Sequence, residues 1–234
     1  MWKITKFDII DSTNTALKQM ADAKHGTVLV SSHQTGGRGR MGRSFSSPHG
    51  IYLSALLIRQ EAPSRLLHLT AMTAVAVRRA ILEASGKNTQ IKWVNDLLLE
   101  GKKLCGILVE GNADRYIVGI GINCNTDLQA LPPEVRSMAA TLQCDENTLL
   151  QALVKHLMIM DAELLSGQKA WMREYAQNCI TIGNEVQVIS AKARKQALAL
   201  DVDDSGALLV RYPDGREEAV CSGEVSVRGL YGYI

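Results

Sequence analysis

Long apolar segments are absent from the sequence. It contains no run of about 18 apolar residues, the length that a transmembrane helix requires. Its first residues, MWKITKFD, lack the apolar core of a secretory signal peptide. We therefore expect a cytoplasmic protein with no membrane span.

Disulfide and metal-binding patterns are also missing. The five cysteines are odd in number, widely spaced and without any C-x-x-C pair. This arrangement is typical of reduced thiols and excludes both a disulfide framework and a zinc site. The five histidines show no metal-ligand spacing, and we assign none of them a catalytic role.

A strong excess of one charge is likewise lacking. The 26 Lys and Arg residues nearly balance the 24 Asp and Glu residues, so no global field draws the protein to nucleic acid. With 46% hydrophobic and 21% charged residues, the chain has the composition of a globular protein with a sizeable core. Its 234 residues predict one large domain, or one large and one small domain.

One loop, GGRGRMGRSFSSP, from Gly36 to Pro48, combines three arginines with four glycines. Glycine permits close backbone approach and leaves N–H groups free to face an anion, and arginine supplies planar cationic forks that match phosphate and carboxylate groups. The loop is not a Walker A motif, because no Gly-Lys-Ser/Thr follows, and it lacks the Gly-x-Gly-x-x-Gly spacing of a dinucleotide fold. The pattern predicts a site for a small anionic ligand, and a solvated basic loop is the alternative.

Hydrophobic periodicity predicts a mixture of helices and strands in the first 182 residues. Asp11 to Asn14 form a cluster of capping residues ahead of a short amphipathic helix. Further helices are predicted over residues 63–85, 147–165 and 171–178. Strands are predicted over residues 27–32, 51–58, 91–94, 97–99, 104–110 and 116–122.

The pattern changes near residue 183. Five short alternating stretches follow, over residues 185–189, 197–202, 208–211, 218–220 and 225–228, separated by the turn signals DSG and PDG. Five strands in about 50 residues predict a small β-barrel. We therefore expect a domain boundary between Ile182 and Gly183.

Three further segments place polar residues or glycines at strand ends. KWVND brings a cation, an amide and a carboxylate to the end of a strand, where simple turn formation is the alternative. In GKKLCGIL, Lys103 stands where a strand enters an apolar run and could point into a site, although paired lysines in a hairpin are usually solvated. The two glycines of VGIGIN, Gly119 and Gly121, indicate close approach of a backbone or a ligand.

In this order and spacing, the segments resemble the biotin–protein ligase family, also called biotin–[acetyl-CoA-carboxylase] ligases. The resemblance extends from residue 11 to residue 228, which is nearly the whole chain. Its pieces are Ser12-Thr13-Asn14, Gln34 with GGRGRMGR, KWVND, GKKLCGILVE, GIGIN and the terminal SGEVSVR.

The resemblance implies an α+β fold. Residues 1–182 would form a catalytic domain with a mixed sheet and helices, as in class II synthetases and biotin–lipoate ligases, and residues 183–234 an SH3-like β-barrel. The implied reaction joins biotin to ATP as biotinyl-5′-AMP, with Mg²⁺, and then transfers biotin to a lysine of a biotin carboxyl carrier protein.

The resemblance is to the short, monofunctional class of the family. Few residues precede Ser12, and we expect no room for an N-terminal winged helix that binds DNA. We therefore expect no specific DNA binding. The family contains monomers and dimers, so a homodimer is left open.

The resemblance also implies roles for individual residues. Lys103 and Arg38 are implied to be catalytic, because they would bridge the biotin carboxylate and the α-phosphate. The implied biotin contacts are Ser12, Thr13, Asn14, Gln34, Gly37, Arg38, Lys103 and Gly106, with Gly121 also lining the site. The implied adenylate contacts are Arg38, Arg40, Arg43, Phe45, Asn95, Lys103 and Asn123. Asn95 and Asp96 are implied as oxygen donors near Mg²⁺.

Two positions depart from the family pattern. Phe45 stands where a tryptophan usually packs on adenine, and Val94 stands where a proline is usual. Phenylalanine can also stack, with less area, and Val94 is β-favouring, so we expect the strand to persist. The alternative functions are a lipoate–protein ligase, a nucleic-acid-binding regulator that uses the Arg/Gly loop on phosphates, and a non-catalytic biotin-binding module.

Overall fold

A seven-stranded mixed sheet lies at the centre of the larger part of the protein. The computed structural model describes residues 2–42, 45, 48–61, 67–190, 193–221 and 226–229, with backbone alone for Met41 and 226–229. The strands are β1 (Lys3–Ile10), β2 (Thr27–Gln34), β3 (Ile51–Ile58), β4 (Gln90–Lys92), β5 (Asp96–Leu99), β6 (Lys102–Asn112) and β7 (Arg115–Ile122). Their order is β1-β2-β3-β7-β6-β5-β4, and all neighbours are antiparallel except β1 and β2.

Helices cover both faces of this sheet. They are α1 (Thr13–Gln19), α2 (Leu69–Ser85), α3 (Pro133–Arg136), α4 (Glu146–Glu163) and α5 (Gln168–Asn178). Side chains alternate between the faces of a strand. Leu53, Ala55 and Leu57 of β3 therefore join the large core that contains α2 and α4, while Leu56 packs on the other face against Leu17 of α1.

The boundaries of three helices differ from the prediction, and the helix predicted from residue 171 begins at Gln168. The helix predicted from residue 63 begins at Leu69, residues 62–66 lie outside the described part of the chain, and Gly86 ends the helix with a φ of 69°. The helix predicted over 147–165 covers Glu146–Glu163. It begins at Glu146 because the Asp145 carboxylate accepts a hydrogen bond from the backbone N–H of Thr148 at 2.8 Å.

The strand predicted over residues 91–94 is shorter in the structure. β4 ends at Lys92, and the peptide bond between Trp93 and Val94 is cis. The expectation that Val94 prolongs the strand is therefore wrong. Both residues are buried, and the Tyr175 hydroxyl donates to the Val94 carbonyl at 3.2 Å, so packing and this bond hold the turn instead of a strand ladder.

A second sheet follows the helices. Its strands are β8 (Glu185–Ile189), β9 (Arg194–Val202), β10 (Leu208–Arg211), β11 (Glu217–Val220) and β12 (Ser226–Gly229). All neighbours are antiparallel, in the order β11-β10-β9-β8-β12. The predicted α+β class and the five C-terminal strands are confirmed, and the boundary at residue 183 stays a prediction.

The second sheet is joined to the first by a buried hydrogen bond. The indole N–H of Trp93 donates to the carbonyl of Gly206 at 3.0 Å. Trp93 also donates its backbone N–H to the Thr181 hydroxyl at 3.0 Å. Among the described residues, none of the helices is long and apolar enough to cross a membrane.

Candidate functional site

A cleft opens on the α1 face of the seven-stranded sheet, with a cavity of about 150 Å³. We call it the site cleft. It gathers residues that are far apart in the sequence, from the start of α1, β2, the Arg/Gly loop, β3, the turn before β5, and β5 to β7. They are Ser12, Thr13, Asn14, Gln34, Arg38, Gly39, Arg40, Phe45, Tyr52, Asn95, Asp96, Lys103, Gly106, Ile107, Leu108, Gly119, Ile120 and Gly121.

Neutral polar groups form the end of the cleft beneath α1. Ser12 caps the helix, because its hydroxyl accepts a hydrogen bond from the N–H of Thr15 at 3.3 Å. The backbone N–H of Thr13 donates to Gln34 Oε1 at 2.7 Å. Ser12, Thr13 and Gln34 are all buried, so this end of the cleft offers hydroxyl and amide groups in a largely dry environment.

Asn14 is held by the protein on both sides of its amide. Its Nδ2 donates to Glu110 Oε2 at 2.9 Å and to the Leu108 carbonyl at 3.4 Å. Its Oδ1 accepts from the Ser54 hydroxyl at 2.6 Å. Asn14 therefore lines the cleft with a side chain whose orientation is fixed by other residues.

Glycines form the floor of the cleft. Gly119 and Gly121 of β7 pair with Ser54 and Tyr52 of β3, and Gly106 of β6 pairs with Gly121. A Cβ on Gly119 would collide with the Asn14 amide, and a Cβ on Gly121 would collide with the Phe45 ring. The glycines are therefore needed for close approach, as the sequence predicts for VGIGIN.

Charged groups lie at the other end of the cleft. Lys103 Nζ lies 2.8 Å from Asp96 Oδ1 and 5.5 Å from the centre of the Phe45 ring. Arg40 donates to Asn95 Oδ1 at 3.4 Å, and Asn95 Nδ2 donates to the Ile107 carbonyl at 2.9 Å. The site cleft therefore has cations at one end and neutral hydrogen-bonding groups at the other.

Phe45 lies across the glycine floor. Its ring is edge-on to Tyr52, with 6.2 Å between ring centres, and a Cβ on Gly106 would lie 3.2 Å from it. The ring narrows the cleft, whose cavity of about 150 Å³ is smaller than the roughly 300–1,000 Å³ of typical ligand pockets. The Phe45 ring therefore limits the space above the glycine floor.

Of the predicted site residues that the structure describes, Gly37 and Asn123 do not line the site cleft. Gly37 lies beside it, against the Phe45 backbone and Gln34 Nε2. Asn123 braces the chain next to Lys103, because its Nδ2 donates to the Ala140 carbonyl at 2.9 Å. Arg43 lies outside the described residues.

The structure also adds residues that the sequence did not single out. Tyr52 and Ser54 stand on the cleft face of β3, within a run that is otherwise apolar. A polar residue in a fully buried strand is a signal that could have revealed Ser54. Its register against Gly119 could not have been found, because that pairing joins residues 65 positions apart.

The five cysteines are free thiols in the structure. Burial raises the pKa values of Cys105 and Cys124, which disfavours their nucleophilic thiolate forms. Cys105 lies next to the site in sequence, and its full burial leaves it as a core residue. Within the described residues, no group of three His, Cys, Asp or Glu side chains could hold a metal ion.

Comparison with known proteins gives consistent matches over both parts of the chain. Residues 6–127 match the Biotin/lipoate A/B protein ligase family, and residues 181–228 match the Biotin protein ligase C terminal domain. The Bifunctional ligase/repressor BirA of Bacillus subtilis is 33% identical, over 89% of this chain and 69% of that protein. The Biotin--[acetyl-CoA-carboxylase] ligase of Mycobacterium tuberculosis is 29% identical, over 86% of this chain and 78% of that protein.

Solved structures agree with the sequence matches. The biotin protein ligase from Aquifex aeolicus in complex with biotin and ATP superimposes with a TM-score of 0.85. It is 28% identical in sequence, and the match covers 97% of this chain and 99% of that one. The likeness therefore includes both sheets.

Proposed function

Because this chain belongs to the Biotin/lipoate A/B protein ligase family, we propose how its own residues carry out biotin activation and transfer. The enzyme is a biotin–protein ligase that uses ATP and biotin as substrates. The observation that carries the residue assignments is the site cleft itself. It places neutral hydrogen-bonding groups at one end, cations at the other and a glycine floor between them.

The first step is adenylation. A carboxylate oxygen of biotin attacks the α-phosphorus of ATP, the bond from that phosphorus to the β-phosphate bridging oxygen breaks, and pyrophosphate leaves. Both reactants are anions, so cations placed where charge develops lower the barrier most. Lys103 takes this role between carboxylate and α-phosphate, and Arg38 and Arg40 approach the phosphates from the loop. We keep Arg43 in the same role as a prediction from the sequence.

The pair of Lys103 and Asp96 has a consequence for this step. In the structure the two side chains are 2.8 Å apart and partly buried. When the biotin carboxylate arrives, it competes with Asp96 for the same ammonium group. In the second step the amine of the acceptor lysine attacks the carbonyl carbon of the mixed anhydride, the bond from that carbon to the phosphate oxygen breaks, and AMP leaves. We assign the proton that the amine loses to the freed Asp96 carboxylate.

Mg²⁺ belongs with the triphosphate. This ion is usually bound through one or two carboxylates, substrate phosphates and several waters. Asp96 supplies a carboxylate on the cleft wall, beside the amide of Asn95, so these residues fit an ion that ATP carries in. The ion would offset triphosphate charge, and none of the steps assigned to the protein's residues depends on it.

The neutral end of the cleft favours biotin over lipoate. A ureido ring presents both N–H donors and a carbonyl acceptor, and Thr13 and Gln34 offer buried partners of both kinds. The dithiolane ring of lipoate presents none, so it would leave these buried groups without partners, which is costly. We therefore assign the ureido ring to Ser12, Thr13, Asn14 and Gln34, and the adenine to Phe45.

Biotin-dependent exchange of labelled pyrophosphate into ATP tests this function. Biotin should support exchange, and lipoate should not. A second assay follows transfer of labelled biotin to a biotin carboxyl carrier domain. Biotin binding without exchange would instead indicate a non-catalytic biotin-binding module.

Localisation, DNA binding and oligomeric state are further predictions, and each has a separate test. We propose a cytoplasmic enzyme without specific DNA binding, which a gel shift with random and biotin-operon duplexes examines. Light scattering with and without biotinyl-5′-AMP would distinguish a monomer from a homodimer. Fractionation of cells would locate the protein.

A further inference from the structure

Ser54, which lies outside the family motifs, and Glu110, the last residue of GKKLCGILVE, form a hydrogen-bond network with the proposed biotin site. Ser54 of β3 is fully buried, and its hydroxyl oxygen lies 2.6 Å from Asn14 Oδ1 and 2.7 Å from Thr13 Oγ1. Glu110 of β6 lies 2.9 Å from Asn14 Nδ2. The hydrogen-bond network therefore runs from Glu110 through Asn14 and Ser54 to Thr13.

Glu110 fixes which way the Asn14 amide points. Its carboxylate and the Leu108 carbonyl are both acceptors, so the Asn14 amide nitrogen, with its two protons, must face them. The amide oxygen is then turned toward Ser54. Reversing the amide would place oxygen against two acceptors and nitrogen against a hydroxyl.

This orientation decides where the single Ser54 proton goes. Asn14 Oδ1 has no proton, so the contact at 2.6 Å is a hydrogen bond only when Ser54 donates to it. Ser54 then has no proton for Thr13. The 2.7 Å contact between the two hydroxyls therefore requires Thr13 to donate to Ser54.

The remaining contact supports this arrangement. Thr13 Oγ1 lies 3.1 Å from Gln34 Oε1, which already accepts the backbone N–H of Thr13 at 2.7 Å. The two hydroxyl protons of Ser54 and Thr13 must serve three oxygen–oxygen contacts, so one contact has no proton. Repulsion between two acceptor oxygens is weaker at 3.1 Å than at 2.6 Å. The Thr13 proton is therefore directed to Ser54, and the lone pairs of Thr13 remain for the cleft.

We infer that Ser54 and Glu110 are positioning residues that hold the Thr13 hydroxyl as an acceptor for a ureido N–H, and hold Gln34 Nε2 as the donor beside it. This inference rests on the proposed function, because it takes biotin as the ligand of the cleft. This role is consistent with the positions of Ser54 and Glu110, which contact Asn14 and not the charged end of the cleft.

Steady-state kinetics of purified variants test the inference. We expect Ser54→Ala to raise the KM for biotin about tenfold, as for loss of one oriented hydrogen bond, with the KM for ATP unchanged. Glu110→Ala should shift the same constant less, and Glu110→Gln, which keeps an acceptor for Asn14, should restore it. Lys18→Ala is the matched control, because Lys18 touches Glu110 from solvent at 3.7 Å, and it should leave both constants unchanged.

A double-mutant cycle separates this mechanism from simple structural damage. If Glu110 acts through Ser54, the Ser54→Ala/Glu110→Ala variant should bind biotin no worse than Ser54→Ala alone. Circular dichroism would first establish that each variant is folded. Additive effects, an unchanged KM for biotin in Ser54→Ala, or an equal rise in the KM for ATP would overturn the inference. Absence of biotin-dependent exchange in the unsubstituted enzyme would count against the proposed function instead.

Discussion

At the scale of single residues, two adjacent lysines have opposite expected importance. Lys102 and Lys103 are consecutive on β6, so their side chains point to opposite faces. Lys103 enters the site cleft, while Lys102 is exposed. We predict that Lys103→Ala slows biotin-dependent pyrophosphate exchange by about 10²–10³, because one transition-state cation in a shielded site contributes about 3–4 kcal/mol. Lys102→Ala should be nearly neutral, and equal losses in the two variants would contradict the assignment of Lys103.

His68 gives a prediction about pH and stability. Its side chain is 2% exposed, and its Nε2 lies 2.8 Å from the Leu164 carbonyl. Burial lowers the pKa of His68 below its usual 6.5, and the hydrogen bond to Leu164 only partly offsets this. The neutral imidazole donates from Nε2, and the folded protein resists its protonation.

The stability contribution of His68 therefore depends on pH in a defined direction. Above pH 6.5 the imidazole is neutral in both folded and unfolded chains, and the contribution is complete. Below this value the unfolded chain takes up a proton first, so the free energy of unfolding falls by at most about 1.4 kcal/mol per pH unit. Urea titrations at pH 7.5 and pH 5.5 should show a smaller decrease for His68→Gln than for the unsubstituted protein. The same decrease in both proteins would refute the claim.

At the scale of elements, the Arg/Gly loop needs glycine at Gly37. A Cβ at this position would collide with the Phe45 carbonyl oxygen and would lie 2.8 Å from Gln34 Nε2. We predict that Gly37→Ala raises the KM for biotin about 10- to 100-fold, because it displaces the loop and an amide that faces the ligand. Thr35→Ala is a suitable control, since Thr35 is exposed and keeps its backbone hydrogen bond to the Ile10 carbonyl. Similar biotin KM values for both variants would mean that the loop adjusts freely.

The helices, strands and turns differ in how well the sequence predicts them. The cap at Ser12 and strand β3 were predictable, because capping and apolar runs are local signals. The turn at Trp93 and Val94 was not, since both residues suit a strand and only their burial against other segments bends the chain. Ser54 was missed for a related reason: its importance lies in a pairing with Gly119 that no local pattern encodes. The motif residues of the cleft were predictable because residue type and spacing can be read from the sequence. The register between neighbouring strands cannot.

At the scale of the whole molecule, Trp93 links the second sheet to the charged end of the site cleft. Its indole N–H is bonded to Gly206, and two residues later in the chain Asn95 and then Asp96 reach the cleft. The segment from residue 183 onward therefore supports the turn that carries Asn95 and Asp96, while the neutral end of the cleft depends on α1, β2 and β3. Loss of this support should affect ATP chemistry more than biotin binding.

Removing the link tests this division between the two ends. Trp93→Phe keeps most of the buried ring but leaves the Gly206 carbonyl without its donor, which typically costs about 1–3 kcal/mol of stability. We predict a lower Tm, a higher KM for ATP and a lower kcat, with biotin affinity by calorimetry nearly unchanged. Trp2→Phe, which alters an indole whose ring contacts His25, should leave the kinetic constants as they are.

A truncation after Ile182 tests more strongly whether the second sheet supports ATP chemistry but not biotin binding. It removes Gly206 but keeps Thr181, which still bonds the backbone of Trp93. If circular dichroism shows that the remaining chain is folded, we expect adenylation and transfer to the carrier to fall while biotin still binds. A folded truncation that no longer binds biotin would place part of the biotin site beyond residue 182. In that case, Ser54, Asn14 and Gln34 could not account for biotin binding on their own.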